Sequence, residues 1–219
     1  MKRSALPLLL AAAGLSTGVE PAQAEPPPEQ EAPPAALLAL IPAGQELLAW
    51  ARADLNLDGR PDIVFILQPN GSHPYDDPDR GEQPRPLVVA LGGADGRLRE
   101  ANRNPGLVRC QNCGGTWPEP FDSLSARRGS FSLSHYGGSR WRWSDAWTFT
   151  WDPSRRDWLL SRHSEGADTA DEGHLLRQRR RGVHFGSLRL HQVNGDTFLT
   201  EQVWRHAPAP RARRDPQRD

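Results

Sequence analysis

Phe131-Ser132-Leu133-Ser134-His135-Tyr136-Gly137-Gly138-Ser139-Arg140-Trp141-Arg142-Trp143-Ser144-Asp145-Ala146-Trp147-Thr148-Phe149-Thr150-Trp151 alternates between large and small or polar residues for most of its length. Successive side chains of a strand point to opposite faces, so a period of two marks β-structure with one buried face. Phe131, Leu133 and His135 share one face. Trp141, Trp143, Asp145, Trp147, Phe149 and Trp151 form the corresponding set after the glycines. Register then selects the turn. A two-residue loop at 137–138 sets Leu133 opposite Arg142 and mixes the faces. A three-residue loop at 137–139 sets His135 opposite Trp141 and Leu133 opposite Trp143, so the apolar faces coincide. The three-residue loop is the one expected.

The indoles admit two readings. Trp141, Trp143, Trp147, Trp151 and Trp158 could form a platform on which sugar faces stack, or they could fill the core of a small β-domain. Alternation with Ser, Thr and Arg favours the core. Asp145 on that face needs a partner, and His135 or Arg140 can supply one. Ser134, His135 and Asp145 invite comparison with a hydrolytic set, but no serine lies in a G-x-S-x-G turn.

Outward from this hairpin the strand signals continue. Ile63-Val64-Phe65-Ile66-Leu67 and the run at 86–91 are continuous apolar stretches, as expected of strands buried on both faces. Ala94-Asp95-Gly96 marks a hairpin turn after the second run, leading into residues 97–100. Further short strands are expected at 157–160, 175–180, 186–192 and 197–204, with Asn194-Gly195 as a turn. Helical periodicity occurs once, at 35–41, where Pro42 ends it. The expected fold is all-β: a single antiparallel sandwich or twisted meander with one short N-terminal helix.

Between that helix and the first apolar run lies Asp54-Leu55-Asn56-Leu57-Asp58-Gly59-Arg60-Pro61-Asp62. Oxygen-bearing side chains stand at loop positions 1, 3, 5 and 9, with glycine at 6, the spacing by which a tight loop surrounds a hard cation such as calcium. An EF-hand is excluded, because position 12 is Phe65 rather than a bidentate glutamate and Pro61 fills position 8. The stretch resembles the D-x-D-x-D-G-x-x-D loops between strands of FG-GAP and VCBS repeats, including integrin-like propellers. That resemblance implies calcium held by the side chains of Asp54, Asn56, Asp58 and Asp62 and by the carbonyl of Arg60. The Phe-Gly and Gly-Ala-Pro elements of the repeat are absent before Asp54, and the loop occurs once, so a propeller is not implied. The whole chain is similar to secreted bacterial proteins that carry one such loop, and this likeness carries over no activity.

Cys110 and Cys113 are the only cysteines. In an oxidising compartment a local disulfide is expected. A redox-active C-x-x-C would precede a helix, which Gly114-Gly115-Thr116-Trp117-Pro118 does not start, and a zinc site would need His135 or other ligands from afar.

The ends bound the remainder. Lys2-Arg3, an apolar stretch at 5–15 and Ala22-Gln23-Ala24 read as a signal peptide over 1–24. A Pro- and Glu-rich leader (25–34), a β-rich domain (35–206) and an Arg- and Pro-rich tail (207–219) follow, leader and tail being too polar to build a core. No apolar stretch is long enough for a transmembrane helix. The formal net charge of zero gives no field for nucleic acid. The expectation is a periplasmic or secreted, calcium-binding, non-enzymatic domain whose partner is a cell-envelope polysaccharide or protein. The alternatives are a carbohydrate- or peptidoglycan-binding module that uses exposed tryptophans and, third, a hydrolase.

Overall fold

The computed structural model describes residues 31–71, 83–169, 176–181 and 188–195. The chain divides into Met1–Ala32 and Pro33–Asp219, and every element below belongs to the second unit. Among the described residues helix α1 (Ala35–Leu38) precedes nine strands: β1 (Gln45–Ala53), β2 (Asp62–Pro69), β3 (Arg85–Gly92), β4 (Leu98–Val108), β5 (Phe121–Arg127), β6 (Ser130–Gly138), β7 (Trp141–Asp152), β8 (Asp157–Thr169) and β9 (Leu176–Arg181). They form two antiparallel meanders in chain order, β1-β2-β3-β4 and β5-β6-β7-β8-β9. One apolar core draws on both sheets, so the architecture is the expected all-β sandwich.

The two continuous apolar runs behave as strands covered on both faces. Val64, Ile66, Leu87 and Val89 point into the core shared by the sheets. Ile63, Phe65, Leu67, Val88 and Ala90 point the other way, where Leu37 of α1 covers them. That second layer explains why these strands lack alternation: a strand with two dry faces has no position for a polar residue. The helix is a single turn, shorter than its periodicity suggested. A bulge between Leu47 and Ala49 lets Leu47 and Trp50 join the outer cluster while Leu48 and Ala51 pack inward.

In the second sheet the faces coincide as expected, but the turn does not lie where expected. Gly137 pairs with Trp143 and Gly138 with Arg142, leaving a three-residue loop of Ser139, Arg140 and Trp141. His135 therefore lies opposite Asp145 and Leu133 opposite Trp147, not opposite Trp141 and Trp143. The slip is four residues in pairing, an even number, so no side chain changes face. The glycines serve close packing instead of the turn. A Cβ on Gly137 would lie 2.6 Å from the Trp143 ring and 2.7 Å from the carbonyl oxygen of Gly114.

Other expectations fare unevenly. The Asp95-Gly96 hairpin is present, with Gly96 at φ +73° and the Gly93 N–H donating to the Arg97 carbonyl at 2.8 Å. β8 is far longer than 157–160. The strand expected at 186–192 is corrected: its described part makes a bridge between Arg189 and Leu159, then a 3₁₀ turn over Leu190–Gln192. The Asn104 amide donates to the carbonyls of Leu190 and Val193, both at 2.6 Å, and docks this turn on the core. β1 and β5 carried no specific signal. The signal peptide (1–24), most of the leader, the strand at 197–204 and the tail (207–219) lie outside the described residues.

Candidate metal centre and its surroundings

The loop at 54–61 joins β1 to β2, and Ala53 pairs with Asp62 across its mouth. Left-handed backbone at Leu57 (φ 63°) and Gly59 (φ 84°) coils it tightly. The side chains at positions 1, 3 and 5 turn inward and accept from loop amides: Asp54 Oδ2 from Gly59 N–H (3.2 Å), Asn56 Oδ1 from Asp58 N–H (3.1 Å) and Asp58 Oδ1 from Arg60 N–H (2.9 Å). The Asp54 carbonyl accepts from Gly129 N–H at 2.8 Å, which ties the loop to the β5–β6 turn of the other sheet.

Whether these groups suit a cation is tested by what they leave unmet. Asp54 Oδ1 is buried and has no hydrogen-bond partner. A buried carboxylate oxygen with nothing to accept from is costly, and a cation or a bound water would meet it. Asp58 Oδ2 takes only Asn56 Nδ2 at 3.1 Å and a longer contact to Arg60 at 3.6 Å. The Arg60 N–H, then the Asn56 amide, hold the Asp58 carboxyl below its ordinary range, so it is charged at neutral pH. Arg128 stands 3.4 Å from Asp54 at the exposed rim.

Asp62 is placed differently. It is fully buried, and its carboxylate accepts from Leu55 N–H (2.8 Å), Asn56 N–H (3.2 Å) and Gly92 N–H (2.9 Å). Burial pushes its carboxyl up against the pull of those three donors. Asp62 thus clamps the loop to β3. Among the described residues no three His, Cys, Asp or Glu side chains gather as a metal cluster. Of the five groups expected to hold calcium, Asp54, Asn56, Asp58 and Arg60 belong to the loop itself, while Asp62 stands at the start of β2 with its carboxylate already engaged by three N–H donors.

Cys110 and Cys113 form a disulfide, with Cα atoms 5.2 Å apart. The expected local disulfide is thus present, and both sulfurs are taken up by the bond, leaving no thiolate for zinc in this state. The bridge braces the crossing from β4 to β5. Two buried polar clusters anchor the same crossing. Arg85 donates to both carboxylate oxygens of Glu119, to the Gln68 amide oxygen (2.9 Å) and to the Arg109 carbonyl (3.3 Å). His135 Nδ1 lies 2.8 Å from Asp145 Oδ1, which also accepts from Trp147 Nε1 at 2.9 Å, while Arg109 Nε meets Asp145 Oδ2 at 3.2 Å. The Arg109 N–H lies 3.3 Å from His135 Nε2, so both ring nitrogens of the buried imidazole are engaged. The pairing of His135 with Asp145 is as expected, but the cation is Arg109 rather than Arg140. Arg85, Glu119 and Arg109 gave no local signal, because their partners lie 24 to 36 residues away.

The tryptophans divide. Trp147 and Trp158 are 4% and 2% exposed and belong to the core, so they are removed from the platform reading. Trp151 is half-buried against the core, its ring 4.6 Å from that of Trp158. Trp143 is half-buried under the Arg109 guanidinium, 4.7 Å from the ring centre. Trp141 is 60% exposed, as is Trp117, which the sequence did not single out, at 62%. The alternating positions dive into the core toward the middle of β7 and leave it at the turn.

No protein-family model, no curated protein and no solved structure matches this chain.

Proposed function

We propose that this chain is a periplasmic or secreted β-sandwich of the FG-GAP and VCBS loop type, stabilised by calcium, with a binding or envelope-associated role and no catalysis of its own. One observation carries the metal: the buried, partnerless Oδ1 of Asp54, set at position 1 of a loop whose next two ligand positions already turn inward. The non-enzymatic part is supported by His135, which is buried with both ring nitrogens engaged and so offers no base to a substrate.

Calorimetry of the mature chain with calcium and with chelator tests this reading. A ligand that binds only the folded state adds about 2.7 kcal/mol at a hundredfold excess over its dissociation constant. The melting temperature is expected to rise with calcium, and Asp58→Ala to abolish the rise. A melting temperature indifferent to calcium, with Asp58→Ala behaving as the parent, removes the metal from this protein.

A further inference from the structure

We infer that the cavity of about 390 Å³ beside Asn56, at the loop end of the sandwich, is a binding site for a neutral sugar ring. The inference rests on the reading of the chain as a binding module, and not on the metal. The cavity is large enough for a small ligand and combines an aromatic wall with a few convergent polar groups, the usual make-up of such sites.

The wall is Trp151, half-buried and held by the buried Trp158 at 4.6 Å with the rings tilted by 54°. A pyranose has an apolar C–H face that suits an indole and equatorial hydroxyls that must be hydrogen-bonded at its edge. The edge partners are present. Asp157 is buried, and its Oδ1 accepts from Asn102 Nδ2 at 2.9 Å and from Trp158 N–H at 2.8 Å. Its Oδ2 has only a longer contact to Arg189, 3.6 Å, and retains the capacity to accept from a hydroxyl. Asn56 lines the same space from the loop. Asp157 and Arg156 put one negative and one positive charge on the lining, and the hydroxyls of an uncharged ligand can donate to the first and accept from the second.

Arg156 supplies the second argument. It sits in the β7–β8 turn at φ 49°, left-handed backbone that L-residues other than Gly, Asn and Asp seldom adopt. A turn alone is served better by glycine. Arg156 lines the cavity, where its guanidinium is a donor within reach of a ligand hydroxyl.

The test is a titration of the full chain with glucose, galactose and N-acetylglucosamine, followed by tryptophan fluorescence and calorimetry. One of these sugars is expected to saturate the signal, with a dissociation constant on the order of 1 mM. Arg156→Gly is expected to keep or raise the melting temperature while weakening that sugar by about tenfold. Asp157→Asn is a second variant that alters the acceptor without changing the side-chain shape, and it should weaken the sugar as well. The inference is overturned if none of the three sugars saturates the signal, or if both variants bind as the parent does. A calcium-dependent melting temperature without sugar binding overturns the cavity and leaves the metal standing. Sugar binding without a calcium response does the reverse.

Discussion

The indole N–H of Trp158 donates to the carbonyl of Leu55 at 3.1 Å, joining residues 103 apart in the chain. Leu55 lies inside the loop at 54–61 and its side chain is buried in the common core. The loop of the first sheet is thus held by the second sheet through the buried Leu55 side chain and two hydrogen bonds, this one and that from Gly129 N–H to the Asp54 carbonyl. Trp158→Phe keeps a ring but leaves the Leu55 carbonyl without its donor. The expected loss is about 2 to 4 kcal/mol, combining an unmet buried acceptor with lost ring volume, read from urea denaturation. The calcium response of the melting temperature should shrink in the same variant.

Asp145 is the acceptor for three neighbours at once: His135, Trp147 and Arg109. Asp145→Ala strands the Arg109 charge and two further donors. A loss of about 3 to 5 kcal/mol is expected in chemical denaturation. A loss below 1 kcal/mol would mean that water replaces the carboxylate at little cost.

The Cys110–Cys113 bridge closes a very short loop, so the chain-entropy model gives it only about 2 kcal/mol. The double serine variant should fold, with a correspondingly lower midpoint. Alkylation before reduction should add no mass to the native protein, and alkylation after reduction should label both cysteines.

Two exposed turns respond to acid. Bonds from the Arg99 guanidinium and the Arg97 N–H lower the Asp95 carboxyl from 3.8 to about 2. At Asp152 the Ser154 hydroxyl and Arg155 do the same, also to about 2. A carboxyl depressed by folding favours the folded state above its unfolded value, and that contribution is lost as pH falls from about 4 through 2. Asp95→Asn and Asp152→Asn should therefore flatten the melting curve against pH in that window and leave its slope near neutrality unchanged.

Gly137→Ala tests the packing of the hairpin. Its added methyl would meet Trp143 and the Gly114 carbonyl at 2.6 and 2.7 Å, so overpacking of about 1 to 3 kcal/mol is expected. Ser139→Ala, in the loop itself, should fall within about 0.5 kcal/mol of the parent.

Much of the fold was legible locally, and the limits have physical causes. The alternation at 131–151 and the dry runs at 63–67 and 86–91 are properties of single strands, and burial acts on each strand directly. β1 was hidden because its bulge between Leu47 and Ala49 breaks the period of two. β5, with Asp122, Ser123 and Ser125 largely exposed, offers only a partial apolar face. The 137–139 turn was misplaced because glycine signals both a tight turn and a close approach, and only the positions of Trp143 and Gly114 distinguish the two.

The loop at 54–62 separates the two kinds of information most clearly. Its residue types and spacing were set by local geometry alone: inward side chains at alternate positions and glycine where the backbone turns left-handed. The sequence by itself therefore determined an all-β chain, and it led us to expect a cation loop and a local disulfide. Tertiary structure decided the rest. It tied Asp62 to Gly92, placed Arg109 beside Asp145, sank Trp147 and Trp158, and left Trp151 and Arg156 around a cavity. Each of these depends on contacts between strands 30 to 100 residues apart, whose partners are chosen by the packing of two sheets and by no feature of either segment alone.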